Sequence, residues 1–522
     1  MAKTSRRTFV KAGLALAGAT AASGLFAPTV RRGFAGQSSN SVIFASGEPL
    51  TGNWDPTSHT ILGQINFEGY VFNRLIRTPM TPENPAEVQF DLATGQKLID
   101  PHTLEYSLRR DVKFHDGKVF SAEDVKATFE YASQPDRPAA WYPGRVDVEI
   151  VDDYTVRLKT EAYGYPATTF LLLASFLPIM SAKDIGNGDA LRQRPNGTGP
   201  FKFVEQRGNE TVLTAFDDYY EGKPKIAEFR FNYMGDANTR LLALLNGEAD
   251  IIERLEPEQH DTLAETDGVR VKRTVSTENK YLHFRCNKAP FDDPTLRLAV
   301  CHAIDRAAIT ELLGAAGHAS SSYVSPVKLG GTDIPGYPAY DPARCQELMA
   351  EAGFPGGNGL PELEYITSVG FYPKTKEYGE LVTALLQEQG FPVKLTVLET
   401  AAWLERIYQR EGDAPGHLVD VGWATGSPEP DLVLRPMWHS SKALITGVND
   451  AEIDRALDAE QAEGDPEKRL KLITGDLMPL LAAKVPSLSL FTSVLIHGVR
   501  DNLQGAYFYP NGPIDLSKAH YA

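Results

Sequence analysis

Apolar and polar side chains alternate from Tyr281 to Arg285, which predicts a strand with one buried face. Pro290 and the Asp292-Asp293-Pro294 cluster end it. Asp293 suits a helix N-cap and Pro294 the first helical position, where its missing N–H costs nothing. Leu296, Val300 and Ala303/Ile304 then fall on one helical face. A strand leaving one compact unit and a capped helix opening the next predict a crossing between two lobes. The same reading predicts a return crossing, the strand Ser487–Phe491 after Pro486.

Other elements follow from the same periodicities. Strands are predicted at Ser41–Ala45, Thr103–Arg109, Phe201–Glu205, Val393–Leu398 and Leu418–Trp423, and two more around the turn at Asp152-Asp153, within Val146–Lys159. Asp111–Gly117 reads as a strand and tight turn, with His115 a turn residue. Helices are predicted at Gln64–Arg74, Thr239–Leu245, Thr375–Gln389, Asp450–Glu463 and Pro466–Ala483. Ser121 and Asp124 form a capping box for a helix reaching Tyr131. The apolar run Phe170–Met180 is too short to span a bilayer and reads as core. Helix–strand alternation in the second half points to an α/β lobe.

Length changes the picture first. A chain of 522 residues is too long for one core, so two or three domains are expected. The net charge of -16 includes a basic start, so the body is more acidic still. Such a body argues against nucleic acid or anionic lipid as partner, since phosphate binding needs a basic surface. The three cysteines, Cys286, Cys301 and Cys345, have no CxxC spacing. A Cys286–Cys301 bridge is one option; buried free thiols are the favoured reading.

Ser5-Arg6-Arg7-Thr8-Phe9-Val10-Lys11 precedes a weakly apolar run, Ala12–Ala27. This is the pattern of a twin-arginine export signal, with cleavage expected near Gly33-Phe34-Ala35. No Cys follows the run, so no lipid anchor is expected and the mature chain should be free in the periplasm.

The order Asn287, Pro290-Phe291-Asp292, Arg297, Ala303-Ile304-Asp305-Arg306 resembles a segment of the family 5 solute-binding proteins, the extracytoplasmic peptide, nickel and opine receptors of ABC importers. Thr103–Tyr131, Asn246-Gly-Glu-Ala-Asp-Ile-Ile252 and Tyr340–Pro355 resemble further family segments. Asn196-Gly-Thr-Gly-Pro-Phe201 resembles the family's GTGPF turn. It lacks the Lys-Ser/Thr of a phosphate loop and is expected to be a backbone turn needing positive φ.

The resemblance implies an α/β, two-lobed periplasmic-binding-protein fold (type II, cluster C-like) with an extra subdomain on the first lobe. The implied division is a signal peptide over 1–35, lobe I over 36–75, 181–280 and 492–522, its subdomain over 76–180, and lobe II over 281–491. It implies a receptor that captures a small solute, a peptide or a peptide-like or opine-like compound, between its lobes and delivers it to an inner-membrane ABC permease. A monomer without cofactor is implied, exported by the twin-arginine translocase. The implied ligand-binding residues are Glu48, Leu50, Glu253 and Arg254, then Gly422, Trp423, Ala424, Thr425 and Gly426 of the chamber loop.

One departure matters. In the family's peptide receptors the third residue after the chamber Trp is an Asp that holds the peptide's α-ammonium. Here Gly426 stands there. A ligand without a free amino terminus is therefore expected, with Trp423 as apolar wall, Thr425 as hydroxyl and Arg254 as anion contact; Glu429 or Asp431 reaching in is the alternative. No HExxH, GxSxG, Walker loop or zinc spacing occurs, and His283, Cys286, Cys301 and His302 read as core residues. A secreted hydrolase with an unrecognised site is the competing reading.

Overall fold

A computed structural model describes residues 40–522 except 60–61, 135–145, 162–163, 188, 370 and 410–413. The export signal expected over 1–35, with Arg6 and Arg7, lies outside the described residues.

An eleven-stranded sheet runs through both lobes. Its order is Val393–Glu399, Leu363–Val369, Leu418–Trp423, Val269–Phe284, Ser487–Arg500, Ile251–Glu253, Ser41–Ser46, Glu228–Tyr233, Glu210–Ala215 and Phe201–Arg207; Gly317–His318 pairs separately with Ser487–Arg500. The two long central strands are antiparallel, in register from Val269 opposite Arg500 to His283 opposite Ser487. Asn279–Phe284 also pairs with Leu418–Trp423, while Val499 and its neighbours pair with Ile251–Glu253. Each long strand therefore serves both lobes. The register shifts between Val275 and Asn279 and again after Lys280, and such bulges bend and twist a strand.

Both crossing strands run beyond the predicted Tyr281–Arg285 and Ser487–Phe491. The missed part, Val269–Val275, carries exposed Lys272 and Arg273 and buries little on either face. Backbone pairing holds it there, and a hydropathy pattern does not register backbone pairing.

The helix after the crossing spans Pro294–Ala303, and Asp293 accepts from Thr295 N at 2.8 Å. Its buried Leu296, Val300 and Ala303 join the second lobe's core, with Tyr281, Tyr323 and Trp438. In the same lobe, Thr375–Glu388 links two parallel strands and buries Tyr378, Val382 and Leu386. The predicted Pro466–Ala483 helix is present but passes through a π-helical turn at Leu472–Leu477.

The subdomain is a four-stranded antiparallel sheet ordered Ala93–Asp100, Thr103–Leu108, Thr155–Lys159, Asp147–Asp152. The helix Ala122–Ala132 starts at the capping box of Ser121 and Asp124. Tyr106, Phe114, Phe129 and Phe170 form its separate core. The apolar run there becomes the helix Ala167–Ala174 and a buried segment through Met180. Among the described residues no helix is long and apolar enough to cross a membrane.

Two local expectations need correction. Neither Gly197 nor Gly199 has positive φ. A Cβ on Gly197 would overlap the Val71 carbonyl, and one on Gly199 would lie 2.6 Å from the Val71 carbonyl carbon. Close backbone approach requires glycine here, with Gly199 N donating to Val71 O at 2.8 Å. The same contact ends the helix predicted over Gln64–Arg74 at Glu68, because Tyr70 and Val71 give their carbonyls to this segment. His115 seals it, its Nε2 lying 2.9 Å from Gly199 O; burial pushes its imidazole down to about 4. Cys286, Cys301 and Cys345 are all free thiols, so the optional Cys286–Cys301 bridge is not formed.

Candidate functional site

The strand Leu418–Trp423 opens into a loop that ends at the helix Asp431–Trp438. This loop of the second lobe meets the subdomain and the C-terminal segment of the first. Ser427 Oγ donates to Leu172 O at 2.8 Å, Tyr165 OH to Asp431 Oδ2 at 2.6 Å, and Asn511 Nδ2 to Gly426 O at 3.0 Å. The lobes are therefore closed on each other.

Gly426 faces the Phe176 ring so closely that any Cβ would overlap it. The space a side chain at 426 would enter is filled by an aromatic ring. Arg74 fixes that ring's backbone, its Nε donating to Phe176 O at 3.1 Å.

The carboxylates that could replace an acid at 426 are engaged elsewhere. Glu429 is fully buried and takes both arms of Arg469, at 2.8 and 2.6 Å. Arg469 also holds Glu460. Asp431 receives Tyr165 and Arg435. Thr425 is buried too. Its hydroxyl accepts from Lys328 and donates to Ser427 O at 3.1 Å. Burial pushes the Lys328 ammonium down to about 7, against the pull of Glu429. Trp423 is half-buried against the second lobe's core, its Nε1 donating to Leu432 O at 3.0 Å. Ala424 is exposed.

The residues expected on the first lobe form one group. Glu48 pairs with Arg254 and accepts from Gly63 N at 2.8 Å. Glu253 accepts from Gly47 N at 3.1 Å, and Leu50 packs on that lobe's core. Arg254 has φ of 51°, an uncommon conformation for a bulky residue. Buried Arg240 holds it there, donating to the carbonyls of Arg254 and Glu253 at 2.7 and 3.0 Å.

Where the sheet passes between lobes, charged groups missed by the sequence reading bridge these sets. Lys280 pairs with Asp420 at 2.9 Å, both buried, under the ring of Tyr372. Glu278 accepts from Ser493 Oγ at 2.7 Å, and a Cβ on Gly422 would lie 2.5 Å from its Oε1. Burial raises the Glu278 carboxyl above its ordinary range, countered by Lys280, Ser493 and Arg254. Lys280 alternates within a strand like any surface lysine, so its burial left no mark in the pattern.

A pocket open to solvent lies beside Gly426. Tyr70, Arg77, Phe176, Tyr219, Tyr509 and Asn511 are on its walls with Gly426. Of the expected site residues, Gly426 lines it; Glu48, Arg254 and Gly422 gather instead at the crossing of the lobes. Phe176 hid in an apolar run, and Asn511 lies in the C-terminal stretch, where no motif marked it. Among the described residues no cluster of His, Cys, Asp and Glu is placed to hold a metal ion.

Residues 87–444 match the sequence model of the bacterial extracellular solute-binding proteins, family 5 Middle. The heme-binding protein A of Haemophilus influenzae is 28% identical over 450 residues, covering 77% of this chain and 78% of its own. The glutathione-binding protein GsiB of Salmonella choleraesuis is 26% identical over 442 residues, covering 80% and 83%. The crystal structure of the ABC transporter substrate-binding protein CtaP from Listeria monocytogenes shares the fold, with TM-score 0.82, 21% identity and coverage of 93% and 100%. The family match spans more than half of the chain: the chain belongs to the family 5 bacterial extracellular solute-binding proteins of ABC importers.

Proposed function

We propose that this receptor captures a peptide-like or opine-like solute whose amino end is not free, and hands it unchanged to its permease. The observation that carries the reading is the Phe176 ring over Gly426. An α-ammonium enclosed between lobes needs a carboxylate partner, because an unpaired buried charge is costly. Here the position is apolar, and Glu429 and Asp431 are bound by Arg469, Tyr165 and Arg435. The relatives named for heme and glutathione are consistent with wide ligand variety on this fold.

In this reading lobe I comprises 36–75, 181–280 and 492–522, the subdomain 76–180 and lobe II 281–491. Glu48, Leu50, Glu253 and Arg254 border the cleft on one side and Gly422, Trp423, Ala424, Thr425 and Gly426 on the other. Arg254 meets a ligand anion by exchanging it for Glu48. The chain acts as a monomer, without cofactor or hydrolytic chemistry, after export on the Arg6-Arg7 signal and its removal.

Calorimetry on matched short peptides with free and acetylated amino termini tests the ligand class. Acetylated forms should bind at least as tightly as free ones. A tenfold or greater loss on acetylation, about 1.4 kcal/mol, restores an ordinary peptide receptor and overturns this reading.

A further inference from the structure

The pocket beside Gly426 carries a specific polar pattern. Arg77 and Asn511 both line it. The Arg77 Nε and the Asn511 Oδ1 are buried with no hydrogen-bond partner among the described residues. Asn511 Nδ2 is committed to Gly426 O, which leaves Oδ1 as the open acceptor. Buried polar groups are nearly always paired, so an open donor and an open acceptor on one pocket mark where a solute's polar atoms go.

Charge narrows the class. The Arg77 guanidinium already faces three carboxylates, Glu221 at 2.5 Å, Asp91 at 3.5 Å and Asp515 at 3.9 Å. Its positive charge is answered, so a ligand carboxylate arriving there meets Asp91 and Asp515 as like charges. A ligand cation finds no free carboxylate there either, because Asp91 already accepts from Asn73 Nδ2, Arg74 N–H and Tyr220, and Asp515 accepts from Ser517 N–H and faces Arg77. What remains unmet is a neutral acceptor for Nε–H and a neutral donor for Oδ1. The rings of Tyr70, Phe176, Tyr219 and Tyr509 supply apolar walls around them.

Resting on the reading that the solute lies between the lobes without an ammonium anchor, we propose that this pocket takes an uncharged amide segment of the solute with an adjoining apolar or aromatic group. Arg77 Nε donates to the segment's carbonyl oxygen, and Asn511 Oδ1 accepts its N–H. Both residues decide specificity by leaving a charged competitor without a partner.

The test uses the mature full chain and four probes in calorimetry: acetyl-Ala-Phe-amide, its free-carboxylate form, its free-amine form, and cellobiose as an uncharged hydroxyl compound. The doubly capped peptide should bind at least tenfold more tightly than the other three. Arg77→Lys keeps the positive charge among the carboxylates but deletes the Nε donor, and Asn511→Leu deletes the acceptor. Each should weaken the capped peptide tenfold or more while the thermal midpoint stays within a few degrees. If Arg77→Lys does not fold, Asn511→Leu decides alone. Tightest binding of the carboxylate form or of cellobiose, absence of binding by the capped peptide, or unchanged affinity in the folded variants overturns the proposal. Tightest binding of the free-amine form overturns instead the reading of Gly426 on which it rests.

Discussion

Tyr165 of the subdomain donates its hydroxyl to Asp431 at the head of a second-lobe helix, 2.6 Å away and out of contact with water. The bond joins two parts of the chain that are 266 residues apart, the subdomain and the second lobe. Hydrogen bonds to a charged group contribute about 1.5–3 kcal/mol. Tyr165→Phe should therefore favour the open form, lowering affinity for a bound solute roughly tenfold or more. Small-angle scattering should show a larger radius of gyration for the variant, and an unchanged profile would remove this bond from the forces of closure.

The Gly426–Phe176 contact predicts a coupled pair of substitutions. Gly426→Asp alone should destabilise the closed state, because its Cβ overlaps the ring. Phe176→Ala alone should cost about 3–5 kcal/mol as a buried aromatic lost. Together they should cost less than the sum by about 1 kcal/mol or more, since each relieves the other. The double variant should also gain binding of free-amine dipeptides. Additive destabilisation with no gained binding would mean that the ring does not stand in for a side chain.

Lys328 predicts a pH dependence. Its folded pKa, about 7, lies below the ordinary lysine value because burial disfavours the ammonium. Between pH 7 and about 10.4 the unfolded chain then holds the proton that the folded chain has lost. Its contribution to stability rises with pH across that window, by at most about 1.4 kcal/mol per unit, and is lost as pH falls through 7. In denaturant titrations the stability of wild type minus that of Lys328→Met should rise from pH 7 to pH 9. A constant difference would show a lysine that is charged throughout.

Export depends on Arg6 and Arg7 in the proposed route. Replacing both with Lys should leave the precursor in the cytoplasm, as fractionation and immunoblotting would show. Normal arrival in the periplasm would point to another pathway.

Local rules made much of the fold legible. Asp293-Pro294 starts its helix, Ser121 and Asp124 form their box, and the crossing before Pro290 falls where the alternation broke. The empty carboxylate position at Gly426 was readable too, because it is a missing residue in a spaced motif. The ring that fills it was not. Phe176 comes from a subdomain 250 residues away in sequence, and nothing in the run Phe170–Met180 distinguishes a core phenylalanine from one that faces a cleft. Arg254 was read as an anion contact, but its partner Glu48 and its scaffold Arg240 come from separate loops and helices. Lys328 and Lys280 were invisible for a related reason. Their burial is set by loops and rings from other segments, and hydropathy along the chain counts each as a surface cation.

The register break in the two long strands bears on how the molecule moves. Val275 stands opposite Val494 and Asn279 opposite Thr492. Ser276, Thr277 and Glu278 thus share the span that Ser493 covers alone. One strand carries slack at the point where the other is taut. Torsion absorbed in those three residues would leave the ladder on either side zipped, and opening is then expected to be a wring of the ribbon more than a swing about a point. The bulge amides are held outside the ladder, Thr277 N–H by Pro510 O and Glu278 N–H by Ser276 Oγ, each at 3.1 Å. Amide exchange at Thr277–Glu278 should therefore slow when ligand holds the lobes closed, while exchange at Arg273 and Leu282 stays slow in both states.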